Sequence, residues 1–264
     1  MACMEGCRST ERLHQALSVA AQNDKPVIML KAGTTEFGKR GVFAHTGADA
    51  GDDDLYQEIF QSTGTLRAGC IEEQVDLLYA CANGVFPRGR NLCIISISGG
   101  VGVLLADAAY SAGLALPPTQ AANWHRIKGL IPFSSPENPV DVTAQVLNDV
   151  GLLKRIIEIQ ASDPSYDTLI IFLQQLGRVD HHFAEFYPTM LEARKAYPHK
   201  LFVLCGGYSQ RNRSELEAAG FLVFEEPKRA IQCISGLVQF SERVLNNRQD
   251  CTTSHKATSH HEVS

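Results

Sequence analysis

Apolar residues recur at three- and four-residue intervals at Leu13, Ala16, Leu17 and Ala20, behind Ser9 or Thr10 as a cap and Glu11 in the first turn. That spacing lays one apolar stripe along a helix. Lys25-Pro26 stops it, and residues 27–30, VIML, read as a buried strand. The next helix is expected to start at the three aspartates 52–54, whose carboxylates cap free amides and oppose the positive helix end. Its buried side would be Leu55, Ile59 and Phe60, and Ile71, Val75 and Leu78 mark a third helix. The charge and turn chemistry of residues 87–91, PRGRN, break the pattern and place a domain boundary between 86 and 87.

A fresh cycle follows. Strand LCIISIS runs through a glycine turn into helix GVLLADAAYSAG. Helix 149–161 then leads to strand TLIIFL, helix 183–196 to strand KLFVLCG, and helix 212–219 to the short strand FLVF. The last helix, residues 227–245, opens on Pro227, which suits a first-turn position. Strands apolar on both faces alternate with helices, the signature of parallel sheets covered on both sides. The expectation is an α/β chain of two consecutive flavodoxin-like parallel-sheet units. Residues 1–86 form the first, too short to be complete, and residues 87–245 the second. From residue 246 to 264 the chain turns polar and is expected to be a disordered tail; His255, His260 and His261 lie in it and read as chance polar residues, not a metal site.

Composition narrows the classes. With 44% hydrophobic residues in 264, the chain can bury a real core. A net charge of −5 without clustered Lys and Arg argues against a nucleic-acid surface. The longest apolar runs are strand-sized, and the N-terminus has no apolar signal core, so neither a membrane span nor an export signal is expected. Eight scattered cysteines lack metal-type spacing and read as reduced thiols of a cytoplasmic protein, with Cys7 and Cys251 expected at the surface.

Three constellations could carry chemistry. In residues 95–107, ISISGGVGVLLAD, a strand passes through Gly99, Gly100, Val101 and Gly102 into a helix. Glycines admit a ligand close to the backbone, and the free amides of a helix start attract anions. The spacing is not GxGxxG, and GLALPP stands where an acidic ribose-binding residue would be needed, so NAD is rejected. In residues 134–145, SSPENPVDVTAQ, Asn138 and Asp141 could line a site, although a structural turn suits them better on physics alone. The third pairs His45 with Glu5. A nucleophilic imidazole needs one ring nitrogen free and the other held by an acceptor, and a carboxylate does this well.

Together these segments resemble one family, the nucleoside-diphosphate-forming acyl-CoA synthetases, relatives of succinyl-CoA synthetase. The stretch KPVIMLKAGTTEFGKRGVFAHTGADAG is similar to that family's phosphohistidine segment. His45 stands at the place of the phosphorylated histidine, with Ala44 where Ser is usual. MEGCRSTERLHQAL resembles the segment whose glutamate holds that histidine, which gives Glu5 this role. SGGVGVLLADA resembles the glycine-rich helix start that receives the phosphohistidine loop, with Val101 replacing the usual Pro. ENPVDVTA is similar to the NPVD segment of the same later domain.

The resemblance implies a phosphoryl relay: acid, ATP and CoA become acyl-CoA, ADP and phosphate through acyl phosphate and phosphohistidine. The small residues after His45 would keep its loop open and mobile. The resemblance gives this chain no cofactor of its own and no metal site. CoA, ATP or ADP, and Mg²⁺ would be bound by a CoA-binding domain and an ATP-grasp domain, for which these residues contain no candidate. A partner chain carrying those domains, and a small-molecule acid or acyl-CoA, are therefore the expected partners. The alternative is a non-catalytic remnant or interaction module of the same fold.

Overall fold

The computed structural model describes residues 1–246, so the segment expected to be a tail, with Cys251 and its three histidines, lies from residue 247 on outside the described residues. The described chain forms two compact units, Met1–Ala82 joined by residues 236–246, and Asn83–Ser235. The division thus falls at Ala82/Asn83 instead of 86/87, and the end of the last helix returns to the first unit.

In the first unit β1 (Ala2–Met4), β2 (Ile28–Lys31) and β3 (Leu66–Ala68) form a parallel sheet in that order. Helix α1 (Thr10–Gln22) is capped by Ser9, whose side chain accepts from the Arg12 amide. Leu17 packs with Met29, Tyr56, Ile59 and Phe60 to make the core. A helix that the apolar pattern does not announce, α2 (Glu36–Thr46), follows β2; Thr35 caps it and Gly47 ends it in the left-handed conformation. Only Val42 of α2 is buried, so no apolar stripe marks it.

Helix α3 (Asp53–Thr63) starts at Asp52, whose carboxylate accepts from the Asp54 amide. It buries Tyr56, Ile59 and Phe60, whereas Leu55 is exposed. Helix α4 (Ile71–Ala82) turns Gln74, Leu77, Ala80 and Cys81 inward and leaves Ile71, Val75 and Leu78 at the surface, the reverse of an amphipathic reading. The Gln74 amide explains part of this: it donates to the main-chain carbonyl of Ala2, 2.7 Å away, at the start of β1.

The second unit is a five-stranded parallel sheet. Its strands are β4 (Leu92–Ser96), β5 (Val140–Asp141), β6 (Thr168–Phe172), β7 (Leu201–Cys205) and β8 (Leu222–Phe224). Their order is β5-β4-β6-β7-β8, so the second strand in sequence lies outside the first and the rest follow outward on the other side, the flavodoxin-like arrangement. Six helices belong to this fold: α5 (Gly99–Ser111), α6 (Ala121–Leu130), α7 (Val150–Ser162), α8 (Asp180–Ala196), α9 (Gln210–Ala218) and α10 (Pro227–Phe240). Strands β4, β6 and β7 are buried along their whole length, because both faces are covered. The apolar pattern shows neither α6 nor the two-residue β5. Helix α10 begins at Pro227 and crosses from Ser235 to Gly236, where the units divide.

Candidate functional site

His45 is a helical residue, in the last turn of α2, and not part of an open glycine turn. Its side chain is 79% exposed. Glu5 follows the end of β1, and the two meet across 40 residues of chain: His45 Nδ1 lies 3.6 Å from Glu5 Oε1. That separation is an ion-pair distance, longer than a hydrogen bond. The other carboxylate oxygen, Oε2, accepts from the Thr46 hydroxyl at 2.8 Å.

The chain after His45 is exposed at Thr46 and Gly47 and becomes closely packed at Asp49 and Ala50. A Cβ built on Gly6 would lie 2.1 Å from the Asp49 carbonyl oxygen, so the segments around residues 6 and 49 run main chain against main chain. Ala50 is buried, and Asp49 accepts from the Gly51 amide to make a tight turn. The loop expected to be open is so only in part: at Gly47 the space is open, whereas Asp49 and Ala50 approach the Gly6 main chain closely.

Two residues without a role in the sequence reading hold this corner together. Lys31, at the end of β2, is buried; its Nζ donates to the main-chain carbonyls of Glu5 at 2.6 Å and Ala32 at 2.5 Å. The ammonium sits 4.8 Å from the centre of the Tyr56 ring. Burial pushes the Lys31 pKa down, and the Asp53 carboxylate pulls it partly back. The Tyr56 hydroxyl accepts from the Cys7 amide at 3.0 Å. A lysine ending an otherwise apolar strand was the signal for the first; Tyr56, beside Leu55 on a helix, gave none.

In the second unit Gly99, Gly100, Val101 and Gly102 form the first turn of α5, directly beyond β4. Ser98 stands at the N-cap but makes no side-chain capping hydrogen bond; its amide donates to Ser96 Oγ instead. The first-turn amides point out of the helix start. The Gly102 amide already reaches the Ser98 carbonyl, so Gly99, Gly100 and Val101 are the amides nearest the open end. Ser96, Ser98, Gly99, Ser135, Pro139 and Asp141 line a concavity of about 280 Å³ there. It lies at the carboxyl ends of β4 and its neighbour β5, the end of an open parallel sheet at which ligands bind.

Asp141 belongs to this concavity. A Cβ on Gly99 would lie 2.8 Å from Asp141 Oδ2, and Asp141 Oδ1 accepts from the Thr143 amide. Asn138 does not belong to it. Its Oδ1 accepts from the Ile94 amide at 2.9 Å, and its Nδ2 donates to the carbonyls of Leu92 and Pro117 at 2.8 and 3.1 Å. The side chain clips the flank of β4, a structural task that leaves nothing for a ligand.

The cysteines divide differently from expectation. Cys3 and Cys70 are exposed and Cys7 is half-buried, while Cys81, Cys93, Cys205 and Cys233 are buried. Among the described residues no group of three or more His, Cys, Asp or Glu could hold a metal ion. Among them, too, no helix is long and apolar enough to cross a membrane.

Residues 1–81 match the succinyl-CoA ligase-like flavodoxin domain family. The alpha subunit of ADP-forming acetate–CoA ligase I from Pyrococcus furiosus is 30% identical over 241 residues, covering 90% of this chain and 52% of its own. ADP-forming acetate–CoA ligase I of Archaeoglobus fulgidus is 28% identical over 243 residues, 90% of this chain and 33% of its own. In structure, the dinucleotide-forming acetyl-coenzyme A synthetase 1 of Ca. Korarchaeum cryptofilum, solved with phosphate and ADP, superposes with a TM-score of 0.78 at 24% identity. That match covers 93% of this chain and 54% of the other. The chain spans about half the length, or less, of the relatives it matches.

Proposed function

The chain belongs to the nucleoside-diphosphate-forming acyl-CoA synthetase family, and on that premise we propose that it carries the phosphoryl-relay step of such a synthetase, with His45 as acceptor. The observation that carries the reading is the meeting of the Glu5 carboxylate and the His45 ring, 3.6 Å apart, with the rest of the imidazole in solvent. A neutral imidazole protonated on Nδ1 and directed at Glu5 leaves the Nε2 lone pair free to attack phosphorus. The N–P bond forms as the bond from phosphorus to the leaving oxygen breaks, and that oxygen keeps the electron pair. The Nδ1 proton stays between ring and carboxylate, so the positive charge that develops on the ring is offset in place.

In the synthetic direction the donor is a nucleoside triphosphate and the next acceptor is the carboxylate of an acid. The acyl phosphate so formed is taken over by CoA, with release of phosphate. This chain's share is the histidine and a resting place for the phosphoryl group. The α5 amides of Gly99, Gly100 and Val101 are the donors we assign to phosphoryl oxygens. A CoA-binding domain, an ATP-grasp domain and a cytoplasmic setting are inferred from the kinship. The test uses acetyl phosphate as donor: a phosphoramidate resonance in the phosphorus NMR spectrum of the full chain should appear, and should vanish in His45→Asn. A resonance that survives His45→Asn excludes this assignment.

Two features favour the second reading, a module of the same fold without catalysis. His45 ends a helix, where a dianion is disfavoured by roughly 0.3–1 kcal/mol, and the Asp141 carboxylate stands beside Gly99 at the α5 start. A charge effect of that size slows a phosphoryl relay without preventing it.

A further inference from the structure

We propose that Thr46 is a positioning residue, whose hydroxyl holds one oxygen of Glu5 so that the other faces His45 Nδ1. Its catalytic meaning rests on the reading of His45 as phosphoryl acceptor; its geometry does not. A carboxylate on a free side chain rotates about its last bond and presents either oxygen in any direction. Here Oε2 accepts from Thr46 Oγ1 at 2.8 Å, while Oε1 is the atom 3.6 Å from the ring. Both partners come from adjacent positions of one helix turn, so fixing one oxygen on Thr46 aims its sister at His45.

The hydroxyl has a single proton and two acceptors in reach, Glu5 Oε2 and the Val42 carbonyl at 3.1 Å. The shorter, charge-assisted bond takes it. The Thr46 oxygen remains an acceptor for the Ala48 amide at 3.4 Å, so main chain, hydroxyl and carboxylate form one directed series. The base of the carboxylate is fixed independently. Lys31 Nζ donates to the Glu5 carbonyl, and the Cys7 amide donates to Tyr56, so the main chain is tied at Glu5 and again two residues on. With its backbone anchored and one oxygen held, Glu5 has little freedom left in where it points Oε1.

The test reads the imidazole directly. Full-length chains carrying Thr46→Val or Thr46→Ser are compared with the native sequence, all labelled with nitrogen-15, at mildly alkaline pH. The ring-nitrogen shifts of His45, assigned by their loss in His45→Asn, report which nitrogen bears the proton. The native chain should favour Nδ1–H. Thr46→Val, nearly isosteric, should lower the ratio of Nδ1–H to Nε2–H by about threefold, the effect of releasing one charge-assisted hydrogen bond. Thr46→Ser should restore it. A Thr46→Val ratio equal to the native one, in a chain with unchanged circular dichroism, overturns the proposal. Were Thr46→Val to lose its fold, the Thr46→Ser chain would decide, since a ratio moved to the free-imidazole value there contradicts a role for the hydroxyl. Phosphoryl uptake from acetyl phosphate separates the two readings. Tautomers that respond in chains that never take up phosphate leave Thr46 in its role and remove the relay; uptake through His45 with unresponsive tautomers does the opposite.

Discussion

Replacing Asn138 by alanine should destabilise the second unit strongly although Asn138 touches no candidate ligand. Strand β5 is two residues long and covers only Ile95 and Ser96 of β4, its Asp141 also bridging Ser135 on the other side. The Ile94 amide and the Leu92 carbonyl, both in fully buried residues, are matched on that flank by the Asn138 side chain. Removing it leaves a buried donor and a buried acceptor unsatisfied, at about 1–3 kcal/mol each. Water entering the vacated space recovers part of this, so a net loss of about 3 kcal/mol is expected. With a urea slope of about 2 kcal/mol per molar, the unfolding midpoint falls by roughly 1.5 M. The chain's one tryptophan, Trp124, lies on α6 in the same unit, so its fluorescence follows the relevant transition. A midpoint shift below about 0.3 M would show that the clip contributes little and that the account of β4 is wrong.

Other expectations are of the same kind. Glu5→Gln should slow phosphoryl uptake by about a hundredfold, the scale of a lost orienting or proton-holding group, without changing circular dichroism; an unchanged rate excludes Glu5 from the step. Gly6→Ala should destabilise the first unit by several times the effect of Gly47→Ala, measured by thermal melting, because its Cβ would meet the Asp49 carbonyl at 2.1 Å. At Gly47 the space is open and only the left-handed backbone, φ +68°, resists a side chain, at about 1 kcal/mol; equal effects would contradict the close approach. Burial pushes the Cys81 thiol up from 9.0 to about 11. A raised folded pKa gives stability that is whole below pH 9 and lost as pH rises through 11. Cys81→Ala should therefore flatten the alkaline fall in stability by up to about 2–3 kcal/mol, read from urea midpoints at neutral and alkaline pH. Parallel curves for the two chains would refute this.

The second unit was largely legible from sequence because its central strands are buried on both faces and read as unbroken apolar runs. Its polar turns mark most of its helices. The first unit was harder for identifiable reasons. Helix α2 carries two glycines and one buried residue, so no apolar stripe announced it. Strand β3 is three residues long. The apolar spacing of Ile71, Val75 and Leu78 located α4 and misassigned its face, because Gln74 is drawn inward by the β1 main chain. At the candidate site, resemblance singled out His45 and Glu5, which the structure places together, and Asp141, which lines the concavity at α5. It also singled out Asn138, whose polarity serves the strand. Lys31 and Thr46 went unnoticed because their roles depend on contacts 26 and 41 residues away in the chain.

The most direct measurement is intact-mass analysis and peptide mapping, under mildly alkaline conditions that preserve phosphoramidates, of the protein drawn from its native cells. One added phosphoryl group mapped to His45 is the expected result. A phosphoryl group on another residue, or none on protein that copurifies with a nucleotide-binding partner and is supplied with ATP and CoA, would contradict the relay.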